Sequence, residues 1–283
     1  MIPASIQIVN APDGTGLAYC ATPAQAPEIE TRINTAPGIV FLGGFMSDMN
    51  GKKATALEAW ARTRSRGFLR FDYSGHGESE GAFRDGTIGR WRDDALTVIR
   101  HAGQTVSGLE NQLVLVGSSM GAWIAILAAR ALNTEHSGPR VTGLVTIAAA
   151  PDFTDNLLPE WLGTEARKQI EETGTFATPS EYADTPYLIT RSLLTEGRNH
   201  LVLRKPLDLD IPVRLIHGIL DLDVPWIQSQ KLMETLSSTD VELILVKDGD
   251  HRLSKPPDLD RMTEIVERLC DQLASRNAAS PVR

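Results

Sequence analysis

The stretch VLVGSSMGAW, residues 114–123, passes from an apolar run through Gly-Ser-Ser-Met-Gly into a second apolar run. QLVLVG before the turn is typical of a buried strand, and AWIAILAARAL after it predicts a buried helix. The turn matches G-x-S-x-G, in which the glycines permit a tight reversal while the middle serine stands clear of the sheet. Ser119 is therefore predicted to be a nucleophile. The alternatives are that it only forms a turn, or that Ser118 is the reactive serine.

Short β-branched runs alternate with helical patterns on both sides of this stretch, which predicts an α/β fold with an open, mostly parallel sheet. SIQIVN and LAYCA flank Asp13-Gly14 and predict an antiparallel hairpin at one edge. The later strands are predicted at 38–42, 67–72, 112–117, 143–149, 213–218 and 241–246. Helices are predicted near 52–66, 90–104, 120–132, 226–237 and 258–275. Ligands of such sheets bind beyond the carboxyl ends of the strands.

The strand rhythm stops between Pro151 and Pro212, where large apolar residues follow a helical pattern. We expect residues 1–150 and 206–283 to form one core and residues 151–205 to form a helical lid above the strand ends. Trp161 in the lid and Trp226 beyond it are candidates for an apolar substrate pocket. The alternative is that these tryptophans only attach the lid to the core.

A serine nucleophile needs a base that is itself oriented by a carboxylate. His251 follows the last predicted strand, where the base belongs in the chain order Ser, Asp, His. HGILDLDVPW, residues 217–226, supplies Asp221 and Asp223 after the preceding strand, and the H-G-x-x-D spacing favours Asp221. His217 is expected to be a hydrogen-bonded strand terminus, and His76, in a Gly-rich turn, is expected to be structural.

Acyl transfer also requires N–H donors for the negative charge that develops on the substrate oxygen. One donor is expected from the backbone of Met120, directly after the nucleophile, and the other from Phe45 in the loop FLGGFMSD. Gly43 and Gly44 would turn that loop in either case.

Charge and composition exclude several other classes of function. A net charge of −8 with dispersed basic residues argues against nucleic-acid binding. Cys20 and Cys270 have no metal-binding spacing, so no metal, cofactor or disulfide framework is predicted. No apolar run is long enough for an integral membrane segment, and MIPASIQIVNAPDG lacks targeting features. We therefore expect a cytoplasmic protein, and its oligomeric state is not predicted.

Six motifs carry a resemblance to a known family, namely SDMNGKKA (47–54), RFDYSGHG (70–77), GSSMGAW (117–123), HGILDLDVPW (217–226), STDVEL (238–243) and DHR (250–252). From about Gly38 onward the chain resembles the α/β-hydrolase serine hydrolases, and within them the family typified by a mitochondrial S-depalmitoylase that also cleaves acyl glucuronides. The resemblance implies the triad Ser119, Asp221 and His251, acting on esters or thioesters of small-molecule or protein-linked acyl groups. A peptidase of the same fold and a non-catalytic binding protein are the alternatives.

Overall fold

The computed structural model describes residues 5–25, 36–135, 137–178 and 186–279. Its strands are β1 Gln7–Asn10, β2 Gly16–Thr22, β3 Gly38–Leu42, β4 Phe68–Phe71, β5 Gln112–Ser118, β6 Arg140–Ile147, β7 Thr175–Thr178, β8 Tyr187–Thr190, β9 Val213–Gly218 and β10 Val241–Val246. Its α-helices are α1 Lys52–Thr63, α2 Ile88–Thr105, α3 Met120–Thr134, α4 Phe153–Asn156, α5 Leu158–Thr173, α6 Arg191–Gly197, α7 Ile227–Thr235 and α8 Pro256–Ala279. The predicted α/β class, with a mostly parallel sheet and flanking helices, is confirmed.

The main sheet has eight strands in the order β1-β2-β4-β3-β5-β6-β9-β10. β1 pairs with β2 and β2 with β4 in antiparallel fashion, and every other neighbour in this sheet is parallel. Leu42 pairs with Gly117, Ser118 with Ile147, and Val246 with Gly218. The parallel strands therefore end together, at what we call the carboxyl edge of the sheet.

The sheet is covered on both faces, so its central strands are apolar throughout instead of alternating with polar residues. Successive residues of β3 and β5 pack into two different cores, because side chains alternate across a strand. Leu42 and Leu115 lie in the core that contains Trp123 of α3. Val114 lies in the opposite core with Leu57 of α1.

The chain between β6 and β9 contains α4, α5, the hairpin β7-β8 and α6; we call residues 151–205 the inserted segment. The sequence predicted only helices here, and the antiparallel hairpin is a correction. Gly174 ends α5 in a left-handed conformation, φ 85°, and β7 (TFAT) begins at the next residue. Apolar content alone does not separate such short strands from buried helix turns.

Candidate active site

Ser119 lies between the end of β5 and the start of α3, with φ 55° and ψ −118°. Its backbone N–H donates to the Ile147 carbonyl at 2.9 Å. A Cβ on Gly121 would lie 2.2 Å from the Leu42 carbonyl oxygen, and one on Gly117 would lie 2.5 Å from the Gly121 carbonyl oxygen. Both glycines of the motif are thus required by close backbone approach, and together they fix the serine at the carboxyl edge.

The structure brings Ser119, His251 and Asp221 together. His251 Nε2 lies 3.1 Å from Ser119 Oγ, and its Nδ1 lies 2.8 Å from Asp221 Oδ2. The backbone N–H groups of Asp223 and Val224 donate to the other carboxylate oxygen at 3.0 and 2.8 Å. The Asp223 side chain is exposed, although a carboxylate oxygen of this residue lies within 4.8 Å of ligand atoms on Asp221 and His251.

Electrostatics favours a charged Asp221. Burial raises the pKa of this carboxyl, but hydrogen bonds from His217 and His251 and the charge of His251 outweigh burial and lower the pKa to about 2. A carboxylate facing Nδ1 requires that nitrogen to carry the proton. Nε2 is then left as the acceptor for the hydroxyl proton of Ser119.

The loop after β3 passes directly beside the serine. A Cβ on Gly44 would lie 3.4 Å from the Ser119 Cβ. Phe45 of this loop and Met120, the first residue of α3, line the same cavity as Ser119 and His251. Backbone N–H groups in the first turn of a helix have no partner within the helix, which suits Met120 to an incoming oxyanion.

Residues after β4 hold that loop in place. His76 Nε2 accepts a hydrogen bond from the Met46 backbone N–H at 3.2 Å, and Asp72 Oδ1 accepts one from the Met49 N–H at 2.6 Å. Burial lowers the pKa of His76 to about 4, so the ring is neutral and can accept. The structural role expected of His76 is confirmed, whereas its link to the loop after β3 was not foreseen. The motif RFDYSGHG, which contains both Asp72 and His76, was the only sequence feature that pointed to this contact.

A cavity of about 530 Å³ opens over Ser119. The inserted segment contributes Phe153, Leu157, Leu158, Trp161 and Ile189 to its apolar lining, and the core contributes Phe41, Phe45, Met46, Ala54, Met120, Ala150 and Val224. Trp161 is 61% exposed and forms part of the rim. Trp226 is not among the described residues that line the cavity, whereas Val224 is, so a pocket role for Trp226 stays a prediction.

Lys53 also lines this cavity, from the first turn of α1. Its Nζ donates to the carbonyl oxygen of Arg252, the residue after His251. Burial lowers the pKa of Lys53 to about 8, against the opposing charge of Asp250. The amine thus ties α1 to the loop that carries His251, a contact that the sequence analysis missed.

Residues 39–268 match the model of the alpha/beta hydrolase family. This chain belongs to that family. Over 274 residues it is 35% identical to the mitochondrial palmitoyl-protein thioesterase ABHD10 of Bos taurus, a match that covers 96% of this α/β hydrolase and 82% of the relative. Among solved structures, a putative hydrolase from Agrobacterium vitis S4 has a TM-score of 0.86 at 40% identity, covering 95% of this chain and all of the other. The alpha/beta hydrolase domain-containing protein 10 from mouse has a TM-score of 0.79 at 33% identity, with the same coverage. The resemblance noted in the sequence is thereby confirmed.

Two other expectations concern location. Within the described ranges, no helix combines the length and apolar character needed to cross a bilayer. The curated relative is named as mitochondrial, which disagrees with the cytoplasmic location that we predicted. Cytoplasmic location therefore stays a prediction for this α/β hydrolase.

Proposed function

We propose that this α/β hydrolase cleaves carboxylic esters or acyl thioesters through an acyl-enzyme. Ser119 is the nucleophile, His251 the general base and Asp221 the carboxylate that orients it. The observation that carries the proposal is the chain of hydrogen bonds from Ser119 Oγ through both nitrogens of His251 to a buried carboxylate.

The reaction begins when His251 Nε2 takes the hydroxyl proton as Ser119 Oγ attacks the acyl carbon. The backbone N–H groups of Phe45 and Met120 hold the oxyanion, while Asp221 stabilises the imidazolium without taking its proton. His251 then protonates the leaving alcohol or thiol. In the second half, it activates a water that releases the acid and restores Ser119.

The cavity supports an apolar acyl group as the part of the substrate that is recognised. Phe153, Leu157 and Leu158 line the same cavity as Ser119, and an apolar lining favours aliphatic chains. The relatives named palmitoyl-protein thioesterase point in the same direction. We propose long-chain acyl thioesters on a protein or small molecule as the substrates, with acyl glucuronides as the second class.

We propose further that the inserted segment is the lid of this cavity. It supplies Phe153, Leu157, Leu158, Ile189 and the rim residue Trp161 to the lining, whereas the core supplies Ser119, Asp221 and His251. Chain length is then selected by the lid and the reaction is carried out by the core.

The test is kcat/KM on matched thioesters, oxyesters, amides and acyl glucuronides of two to sixteen carbons, for the wild type and Ser119→Ala. We expect Ser119→Ala to lower kcat by about 10⁴ to 10⁶ on every substrate. Ser118→Ala, which removes the adjacent hydroxyl, is the matched control and should retain most of the activity. Hydrolysis that survives Ser119→Ala would contradict the proposal. A preference for amides would favour a peptidase, and no turnover of any acyl donor would favour a binding protein.

A further inference from the structure

His217, the penultimate residue of β9, makes a hydrogen bond to the proposed catalytic carboxylate. Its Nε2 lies 3.1 Å from Asp221 Oδ2, the same oxygen that lies 2.8 Å from His251 Nδ1. The side chains of His217 and Asp221 are both completely buried. One carboxylate oxygen is thus shared by two imidazole rings, only one of which reaches Ser119.

The surroundings of His217 assign its tautomer. Nε2 lies 2.9 Å from the Val224 carbonyl oxygen as well as facing Asp221, so both of its neighbours are acceptors and Nε2 must carry hydrogen. Nδ1 lies 2.7 Å from the hydroxyl oxygen of the buried Ser229 on α7, which can donate to it. A ring with hydrogen on Nε2 alone satisfies every one of these groups. Ser229 therefore holds His217 as a fixed donor to Asp221.

We propose that His217 is a positioning residue of the hydrolytic reaction, which fixes the Asp221 carboxylate and limits how strongly it binds the protonated ring of His251. The inference rests on the proposed function. The distances carry it: removing a donor from a shared, buried oxygen leaves more of its negative charge for the remaining donor.

Two consequences follow for a variant that lacks the Nε2 donor. Asp221 loses one restraint on its orientation, which lowers kcat. Oδ2 becomes a stronger acceptor for His251, so the protonated ring persists to higher pH and the acid limb of the kcat/KM profile moves upward. The other charged groups around the site include Asp48 in the loop after β3, Lys52 and Lys53 on α1, Asp223 on the Asp221 loop, and Asp250 and Arg252 beside His251; they stay the same in every variant.

The experiment compares three variants on a short-chain thioester across pH 5 to 9, with thermal unfolding of each. In His217→Asn the amide is too short to reach Asp221. In His217→Gln the side-chain amide nitrogen can take the place of Nε2, so it is the conservative rescue. Leu215→Val removes one buried methylene from the same strand without touching Asp221 and is the control for lost stability.

We expect His217→Asn to lower kcat about tenfold to a hundredfold, the size of one hydrogen bond to a charged group, and to move the acid limb upward. His217→Gln should restore both toward wild type, and Leu215→Val should lower the melting temperature without moving the limb. An active His217→Asn variant with a wild-type acid limb, or a His217→Gln variant that restores neither property, would overturn the inference.

Nitrogen NMR of the wild type, labelled in histidine, provides a test that needs no variant. At the pH of maximal activity, His217 should carry hydrogen on Nε2 and none on Nδ1. A neutral His217 ring with its hydrogen on Nδ1 would refute the assignment. Failure of the proposed function can be distinguished from failure of this inference about His217. The former would appear as absence of Ser119-dependent hydrolysis in the wild type.

Discussion

The carboxyl edge of the sheet and the inserted segment differ in how tightly their residues are constrained. At the edge, a Cβ on Gly121 would meet the Leu42 carbonyl oxygen at 2.2 Å, and the Asp221 side chain is 0% exposed. In the inserted segment, a Cβ on Gly163 would meet nothing within 4 Å, and Trp161 is 61% exposed. Backbone contacts thus constrain the proposed reaction centre, whereas the inserted segment carries an exposed tryptophan at the rim of the proposed pocket and a glycine with open space around it.

The largest expected effect lies at the edge. Asp221→Asn should lower kcat by about 10⁴, because an amide no longer selects the His251 tautomer in which Nε2 accepts the proton. Steady-state kinetics on one acyl ester measures it. Asp223→Asn is the matched control at an exposed side chain and should stay within about threefold of wild type. A larger loss for Asp223→Asn than for Asp221→Asn would reassign the carboxylate.

The second prediction compares alanine substitutions at Gly121, on the carboxyl edge, and at Gly163, in the inserted segment. Gly121→Ala should cost about 3 kcal/mol of unfolding free energy, because the added methyl forces α3 or β3 to move. It should also lower kcat about a hundredfold through displacement of Ser119. Gly163→Ala has open space and should lose only about 1 kcal/mol, from its φ of 70°, with kcat unchanged on short substrates. Urea unfolding and kcat measure both, and equal losses in the two variants would remove the contrast between the regions.

The third prediction concerns the pocket. Trp161→Ala should lower kcat/KM about tenfold on a sixteen-carbon substrate and leave a two-carbon substrate unaffected, because only the long chain reaches the rim. Leu222→Ala removes an apolar side chain that is 96% exposed and does not line the described cavity, so it should change neither value. Equal losses of Trp161→Ala on both chain lengths would show that the tryptophan acts on the reaction instead of on chain length.

The smallest effect concerns Lys53. Its pKa is lowered from 10.5 to about 8 on folding, so between these values the unfolded chain binds more protons and stability rises with pH. Lys53→Met should flatten that rise and increase stability at pH 7 by about 1 kcal/mol, less than the full shift because water reaches the amine. Urea unfolding at pH 7, 8 and 9.5 measures it, with Lys52→Met as the control for loss of one positive charge. A rise of wild-type steepness in Lys53→Met would contradict the assignment.

The sequence located those parts of the fold and site that depend on short-range pattern. The strand, turn and helix around Ser119 are recognisable from a stretch of about twenty residues. The chain order Ser, Asp, His then points to Asp221 and His251. Contacts that depend on how separate elements pack were not foreseen. The tautomer of His217, for example, depends on Ser229 of α7, which lies against the end of β9. The pocket role predicted for Trp226 also depends on packing, because nearness to Asp221 in the sequence does not specify where its side chain lies.

The backbone of Ser119 has a consequence for protein engineering. The backbone angles φ 55°, ψ −118° are the mirror image of the extended conformation, a region that glycine enters easily and other residues do not. Serine at this position therefore lowers the free energy of unfolding by about 1–3 kcal/mol relative to glycine. The residue proposed to perform the reaction therefore makes the fold less stable than it could be. A library selected for heat resistance alone should drift toward glycine at position 119 and lose catalysis as it gains robustness.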